Sequence, residues 1–255
     1  MLEAIVESVR ARLPPVAAQS AELQDRVAAQ YPARNVAAAL LAPGLSVIAE
    51  IKRKSPSAGV IRADIDPTVQ AQRYEDGGAA MVSVLTERDH FGGSPADFEA
   101  VRSAVNIPLL RKDFVIDEIQ VLESRALGAD AVLLIVAILS NNQLRLLADA
   151  ITDLGMTPLV EVHTRAEIER ALDIGPQLVG INNRDLTTFG TDLATAEELA
   201  PLLEDVPVTI GESGIWTADD AGRMSAAGYD GVLAGEALVR AEDPAALIAK
   251  FRNLP

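Results

Sequence analysis

Eight short runs of consecutive apolar residues, rich in Val, Ile and Leu, begin near positions 47, 81, 108, 131, 157, 178, 207 and 231. Neighbouring positions within a run are apolar together instead of alternating, the pattern of strands covered on both faces in a parallel sheet. Successive starts lie 34, 27, 23, 26, 21, 29 and 24 residues apart, room for one crossover helix each time. Apolar positions at helical spacing fill the gaps over 67–76, 95–105, 117–127, 141–154, 165–174, 193–203, 217–227 and 244–251. Several of these segments open with Ser, Thr or Asp beside Pro, and Gly77-Gly78, Gly128, Gly155, Gly175 and Gly228 each precede the next strand. Eight βα units in 255 residues predict an α/β fold of the (β/α)8 class, a TIM barrel. A doubly wound open sheet expects fewer strands and a Gly-rich first turn, and neither G-x-G-x-x-G nor a Walker sequence occurs. Residues 1–45 read as a helical extension packed on the barrel, with a break expected at Pro14-Pro15, and residues 46–255 as the eight units of one domain spanning 1–255. The stretch 52–66 after the first strand is long enough to act as a lid.

Composition narrows the chemistry. There is no Cys and there are only two His, His90 and His163, which excludes disulfide scaffolds, thiol nucleophiles, zinc ribbons and iron–sulfur clusters. The net charge of −15 disfavours nucleic acid and anionic membrane surfaces as partners. The longest apolar runs, such as 131–139, fall far short of a membrane span, and the acidic N-terminus does not resemble a signal peptide. A soluble cytoplasmic protein is expected, monomeric because no long exposed apolar helix face stands out, with a weak homodimer as the alternative. Of 22 basic residues only four are lysines, Lys52, Lys54, Lys112 and Lys250, leaving 22 − 4 = 18 arginines. Lysine can shift its pKa and exchange a proton where arginine cannot, and three of the four lie in two short motifs.

Barrel active sites form at the C-terminal ends of the strands. Those ends supply Glu50 and Lys52, Lys112 and Asp113, Glu161 and His163, Asn182 and Arg184, Glu212 and Ser213, and Gly235 and Glu236. Any one of them alone reads as a salt-bridged or solvated residue, and Glu50–Lys52 as a structural ion pair. Six strand ends bearing such groups together read as a site, because ionisable residues in apolar strands are costly unless paired or functional. Glu50 and Lys52 are two apart and so share a face. His163 alone is a weak signal and reads as a residue supporting the site from behind or as structural. The turns Gly211-Glu212-Ser213-Gly214 and Ala234-Gly235-Glu236-Ala237 occupy the two positions where barrels commonly bind phosphate, which nominates Gly214, Gly235 and Glu236 together with Lys52. Lys54 and Arg184 are further candidates for cations at the mouth. Arg111 and Lys52 are candidates for lowering the pKa of Lys112.

Several stretches together resemble the indole-3-glycerol phosphate synthase family. They are Ala49-Glu50-Ile51-Lys52-Arg53-Lys54-Ser55-Pro56-Ser57, Thr86-Glu87 with Phe91-Gly92-Gly93-Ser94, Leu110-Arg111-Lys112-Asp113-Phe114, Leu159-Val160-Glu161-Val162, the run from Gly180 through Asn182, Arg184 and Leu186, and Glu212-Ser213-Gly214-Ile215. The resemblance implies conversion of 1-(2-carboxyphenylamino)-1-deoxyribulose 5-phosphate to indole-3-glycerol phosphate with loss of carbon dioxide and water, in tryptophan biosynthesis, with no metal or organic cofactor. It implies Lys112 as general acid, Glu161 as general base or charge stabiliser, Glu50 and Lys52 as assistants, and Asn182 and Ser213 as orienting groups. It further implies Phe91 and Phe114 as walls for the aromatic ring, and substrate contacts from Ser55, Arg184 and Glu212. Gly235-Glu236 stands where the resemblance leads one to expect Gly-Ser, so backbone N–H groups there are expected to serve the phosphate while the Glu236 side chain turns away. The residues alone leave two other readings open. One is a Schiff-base aldolase or lyase with Lys112 as nucleophile, and the other is a catalytically silent barrel that binds a phosphorylated ligand.

Overall fold

Each apolar run forms a strand: β1 (Ser46–Ile51), β2 (Met81–Leu85), β3 (Leu109–Lys112), β4 (Ala131–Ile135), β5 (Thr157–Val162), β6 (Leu178–Asn182), β7 (Val208–Glu212) and β8 (Gly231–Ala234). All neighbours pair in parallel and β8 returns to β1, so the sheet is a closed barrel. The computed structural model describes residues 2–254 apart from Leu186, Thr187 and Phe189. Leu186, quoted in the motif after β6, therefore lies outside the described residues.

Three helices precede the barrel: α1 (Leu2–Ala17), α2 (Ser20–Ala28) and α3 (Val36–Leu40). The crossovers carry α4 (Pro67–Asp76), α5 (Pro95–Ala104), α6 (Glu118–Ala126), α7 (Asn141–Asp153), α8 (Arg165–Leu172), α9 (Ala194–Leu199) and α10 (Ala218–Ala226), and α11 (Glu236–Arg240) and α12 (Pro244–Arg252) follow β8. Asp66, Ser94, Asp117, Ser140, Thr164 and Thr217 accept hydrogen bonds from the first turns of α4 to α8 and α10, so side chains satisfy N–H groups that the helices leave open. Behind the helices, Gly78, Gly128, Gly155, Gly175 and Gly228 have φ between 64 and 94°, the left-handed turn that glycine adopts without strain.

Strand alternation divides the apolar residues into two clusters. Ile48, Met81, Leu110, Leu133, Leu159, Leu178, Ile210 and Leu233 fill the barrel interior, whereas Val47, Ala49, Val82, Val132, Val160 and Val179 face the helices. Val36 and Leu40 of α3 join the interior cluster beside Ile48 and Met81 and close the N-terminal end of the barrel. Ile5 and Val9 of α1 join it beside Phe114, at the opposite end, and Arg12 reaches Glu87 after β2 at 3.3 Å.

Helix α1 corrects the expected break at Pro14-Pro15: both prolines lie inside it. A proline withholds a hydrogen bond from the carbonyl four residues back, but its own carbonyl still accepts, and the Ala18 N–H donates to Pro14 O at 3.0 Å. Burial of Ile5, Val6 and Val9 upstream keeps the helix in place.

Candidate active site

Parity along each strand decides what enters the mouth. Glu50 continues the inward face of Ile48, Lys112 that of Leu110, Glu161 that of Leu159, Asn182 that of Leu178, and Glu212 that of Ile210. These side chains converge on one cleft at the C-terminal end of the barrel, floored by Leu133 and Ile135 and walled by Phe91 and Phe114. The two rings lie 6.0 Å apart between centroids, tilted by 39°.

Lys112 stands at the centre. Its Nζ donates to Glu212 Oε2 at 2.5 Å and to Glu161 Oε2 at 3.1 Å. Burial alone lowers a lysine pKa, but Glu212, Glu161 and Glu50 outweigh it and hold this ammonium well above the ordinary lysine range. The expectation that Arg111 and Lys52 lower the Lys112 pKa is therefore overturned in direction, because the carboxylates raise it. Arg111 has the opposite parity and points out of the barrel, where it is bound by Glu123 at 2.6 Å, Asp113 at 3.2 Å, Thr86, Ser124 and the Gln120 carbonyl.

Two carboxylates share this one ammonium, and their environments drive them apart. Burial opposes the charge on Glu161, but Lys112, then His163, and hydrogen bonds from Asn182 and Lys112 keep it below the usual carboxylate range. Burial also acts on Glu212, where Lys112 is opposed by the charges of Glu161 and Glu50, and its pKa is pushed up to about 7. Glu212 Oε1 is buried with no hydrogen-bond partner. Room for this carboxylate comes from Gly180 on the adjacent strand, since a Cβ there would lie 2.0 Å from Glu212 Oε1.

At the other side of the cleft Lys52 Nζ pairs with Glu50 Oε1 at 2.8 Å. Glu50 in turn sits under Gly235, where a Cβ would approach its Oε1 to 2.7 Å. The segment after β1 folds back as a two-residue antiparallel ladder, Lys54–Ser55 against Gly59–Val60. It is anchored by Arg53, which grips Asp97 at 2.5 and 3.0 Å. Lys54 turns away from the mouth and donates to the Asp89 carbonyl at 2.7 Å, which corrects its nomination as a cation there. Ser55 and Ser57 line the cleft, and Arg184 from the turn after β6 donates to Ser57 Oγ at 3.0 Å.

Beyond β7, Ser213 has φ of 64°, a left-handed conformation uncommon for a residue with a side chain. Asn183 holds that turn: its Nδ2 donates to the Ser213 carbonyl at 3.2 Å while its Oδ1 accepts the Ala196 N–H at 3.0 Å. Gly214 follows with φ of 80°, and a Cβ there would lie 2.8 Å from Thr191 Cγ2. The Glu236 carboxylate is taken by Arg240 one helical turn along, at 2.9 Å, while Gly235 and Glu236 both line the cleft.

A family model described as indole-3-glycerol phosphate synthase matches residues 2–251. An indole-3-glycerol phosphate synthase from Kineococcus radiotolerans is 50% identical over 234 residues, covering 89% of this chain and 85% of its own length. One from a Parafrankia species is 49% identical over 250 residues, covering 97% of this chain and 93% of its own. The chain belongs to the indole-3-glycerol phosphate synthase family. It is accordingly a carboxy-lyase of tryptophan biosynthesis that acts on a phosphorylated small molecule. Among solved structures, KGPDC from Streptococcus mutans superposes with a TM-score of 0.62 at 15% identity, covering 82% of this chain and 95% of that one, and so shares the barrel. No helix among the described residues is long and apolar enough to cross a membrane.

At this cleft the residues nominated from sequence fall together, Lys54 excepted. Four contributors lacked a role at that level. Gly180 and Asn183 lay inside a quoted motif, and their parts depend on Glu212 and Ser213 on the next strand and its turn. Glu87, fully buried, accepts the N–H groups of Asp89, His90 and Phe91 at 3.1, 2.7 and 2.9 Å and so fixes the loop that presents Phe91. Trp216, the chain's single tryptophan, lines the cleft while about half exposed (48%).

Proposed function

We propose that Lys112 is the general acid and Glu161 the general base of the ring-closing reaction, with Glu212 and Glu50 holding the lysine charged. The observation that carries this assignment is the placement of the Lys112 ammonium between the Glu161 and Glu212 carboxylates, in a cleft whose other wall is the Phe91–Phe114 pair. The anilino ring carbon that bears the carboxylate attacks the ketone carbon, and Lys112 gives its proton to the ketone oxygen as that oxygen becomes an alkoxide. The carbon–carboxylate bond then breaks, its electron pair restores the aromatic ring, and carbon dioxide leaves. The new hydroxyl departs as water with a second proton, supplied by Lys112 or Lys52, and Glu161 removes the proton from the carbon beside nitrogen. Lys112 regains one proton from Glu161 across 3.1 Å. The other proton spent is replaced from solvent, before the dehydration step where Lys112 serves twice; it is the one net proton consumed as a carboxylate leaves as carbon dioxide. Proton donors and acceptors placed this way commonly contribute about 10²–10⁴-fold in rate.

An ammonium held by three carboxylates is charged and a poor nucleophile, which disfavours the Schiff-base reading of Lys112. Asn182 and Ser213 orient the substrate, Ser55, Arg184 and Glu212 contact it, and Lys52 with the Gly214 and Gly235 backbones receives the phosphate. The same reading takes residues 1–255 as one domain that acts as a cytoplasmic monomer without metal or organic cofactor.

The test is steady-state turnover of synthetic 1-(2-carboxyphenylamino)-1-deoxyribulose 5-phosphate in excess chelator, followed by indole fluorescence. Turnover by the wild type and its loss in Glu161→Gln are expected. Turnover in Glu161→Gln close to wild type would remove Glu161 from the base role, and dependence on added metal would overturn the cofactor-free reading.

A further inference from the structure

His163 follows β5 directly, two residues beyond Glu161, and its side chain is about nine-tenths buried. Its Nδ1 lies 3.2 Å from Glu167 Oε2, which also accepts the His163 backbone N–H at 2.7 Å. Glu167 occupies the first turn of α8, capped by Thr164, so this carboxylate is fixed by the backbone around it. An ionised carboxylate only accepts, so Nδ1 carries the hydrogen. The other ring nitrogen, Nε2, is buried without a hydrogen-bond partner and faces Glu161 Oε1 at 3.5 Å. A neutral ring in this tautomer would set a nitrogen lone pair against a carboxylate in a dry pocket. A proton on Nε2 converts that repulsion into an ion pair.

The geometry points to His163 as a positioning residue for the reaction: a protonated imidazole that holds Glu161 Oε1, so that Oε2 stays on Lys112 and Glu161 stays ionised as the base. The charged groups around the ring are Glu161 on its own strand, Glu167 on α8 and Glu212 on β7, and Lys112 of β3 acts on it through Glu161. Burial pulls the imidazole pKa down, while the Glu167 hydrogen bond and then the charges of Glu161, Glu167 and Glu212 leave it above the ordinary histidine value. With Glu167 on one side and Glu161 on the other, the ring links the reacting cleft to the first turn of α8.

This inference rests on Glu161 being the base, and the experiment separates the two. In His163→Gln the acidic limb of the kcat/KM profile should move up by about one pH unit, because an adjacent positive charge is removed. The rate deficit should then reach about tenfold below the limb and vanish at alkaline pH. Glu167→Gln should move the limb in the same direction by less. A profile that superimposes on the wild type, or that is lowered equally at every pH, would overturn the positioning role while leaving Glu161 untouched. The second readout does not depend on turnover. The chain has two histidines, so ring ¹⁵N NMR, with His90→Asn for assignment, follows His163 alone. Its pKa should lie above 6.5 in the wild type and fall in Glu161→Gln, and an unchanged value in that variant would overturn the inference whatever the kinetics show.

Discussion

At the N-terminal end of the barrel, Asp130 precedes β4 with its carboxylate fully engaged. It accepts the Arg34 and Leu109 N–H groups at 2.7 and 2.8 Å and the Arg102 guanidinium at 2.9 Å. Asp230, before β8, similarly takes the Thr209 N–H and hydroxyl at 2.8 and 3.2 Å. At the C-terminal end, three carboxylates surround Lys112, one of their buried oxygens has no partner, and a buried histidine nitrogen faces a carboxylate without a hydrogen bond. Both ends bury charge between strands. The lower networks are closed and contribute stability, whereas the upper one is left electrostatically unbalanced, which favours proton movement over stability.

The comparison breaks most sharply at Asp130. Asp130→Ala takes the carboxylate from Arg102, which keeps the Val105 and Ile107 carbonyls, and leaves the Arg34 and Leu109 N–H groups without their acceptor; it should cost about 3–5 kcal/mol of stability. Thermal melting would show it, while turnover of the folded protein at 25 °C stays close to wild type. An unchanged melting temperature would mean that the lower network is idle.

Gly180→Ala forces a methyl against Glu212 Oε1 and should cost about 1–3 kcal/mol by overpacking. It should also lower kcat, because the displaced Glu212 carries Lys112 with it. Normal kcat in this variant would show that Glu212 does not position the lysine.

Glu212→Gln sharpens the contrast through pH. The folded-state pKa of Glu212, about 7, lies above its unfolded value of 4.5, so its contribution is fully present in acid and is lost as pH rises through about 7. The Gln variant lacks that loss and should gain about 1–3 kcal/mol relative to the wild type between pH 5 and pH 8. A stability difference that is flat across this range, or that runs the other way, would contradict the assignment. The smallest effect belongs to Glu236. Its pair with Arg240, whose own side chain is half exposed, is worth about a few tenths of a kcal/mol, and Glu236→Gln should change KM by no more than about twofold. A tenfold change would return the side chain to the phosphate site.

The barrel was legible because its strands are continuous Val, Ile and Leu runs closed by glycines such as Gly128 and Gly155, a local pattern that tertiary packing reinforces. Strand starts read near 47, 108 and 207 fall at Ser46, Leu109 and Val208. Pro14-Pro15 misled because proline marks a helix end only when no packing holds the flanking turns, and Ile5, Val6 and Val9 are packed. Arg111 misled for a simpler reason: the alternation that puts Lys112 inside puts its neighbour outside, whereas the same rule keeps Glu50 and Lys52, two apart, on one face, where they pair. Lys54 departs from the mouth because its loop folds as a short ladder, which no periodicity announces. The role of Gly180 was not legible, and His163 was legible only as a supporting or structural residue. Gly180 depends on its distance to Glu212 across two adjacent strands, and His163 on the ring orientation that Glu167 of α8 fixes.

The most direct test is the turnover of Lys112→Ala against wild type, measured with the synthetic anilino-ribulose phosphate in chelator alongside melting curves for both. The account predicts a loss of about 10²–10⁴-fold in kcat with a melting temperature equal to or above wild type at acidic pH, where the carboxylates it served are protonated. Near-normal turnover in that variant would contradict it, because the ammonium at the centre of the cleft would then have no part in the chemistry.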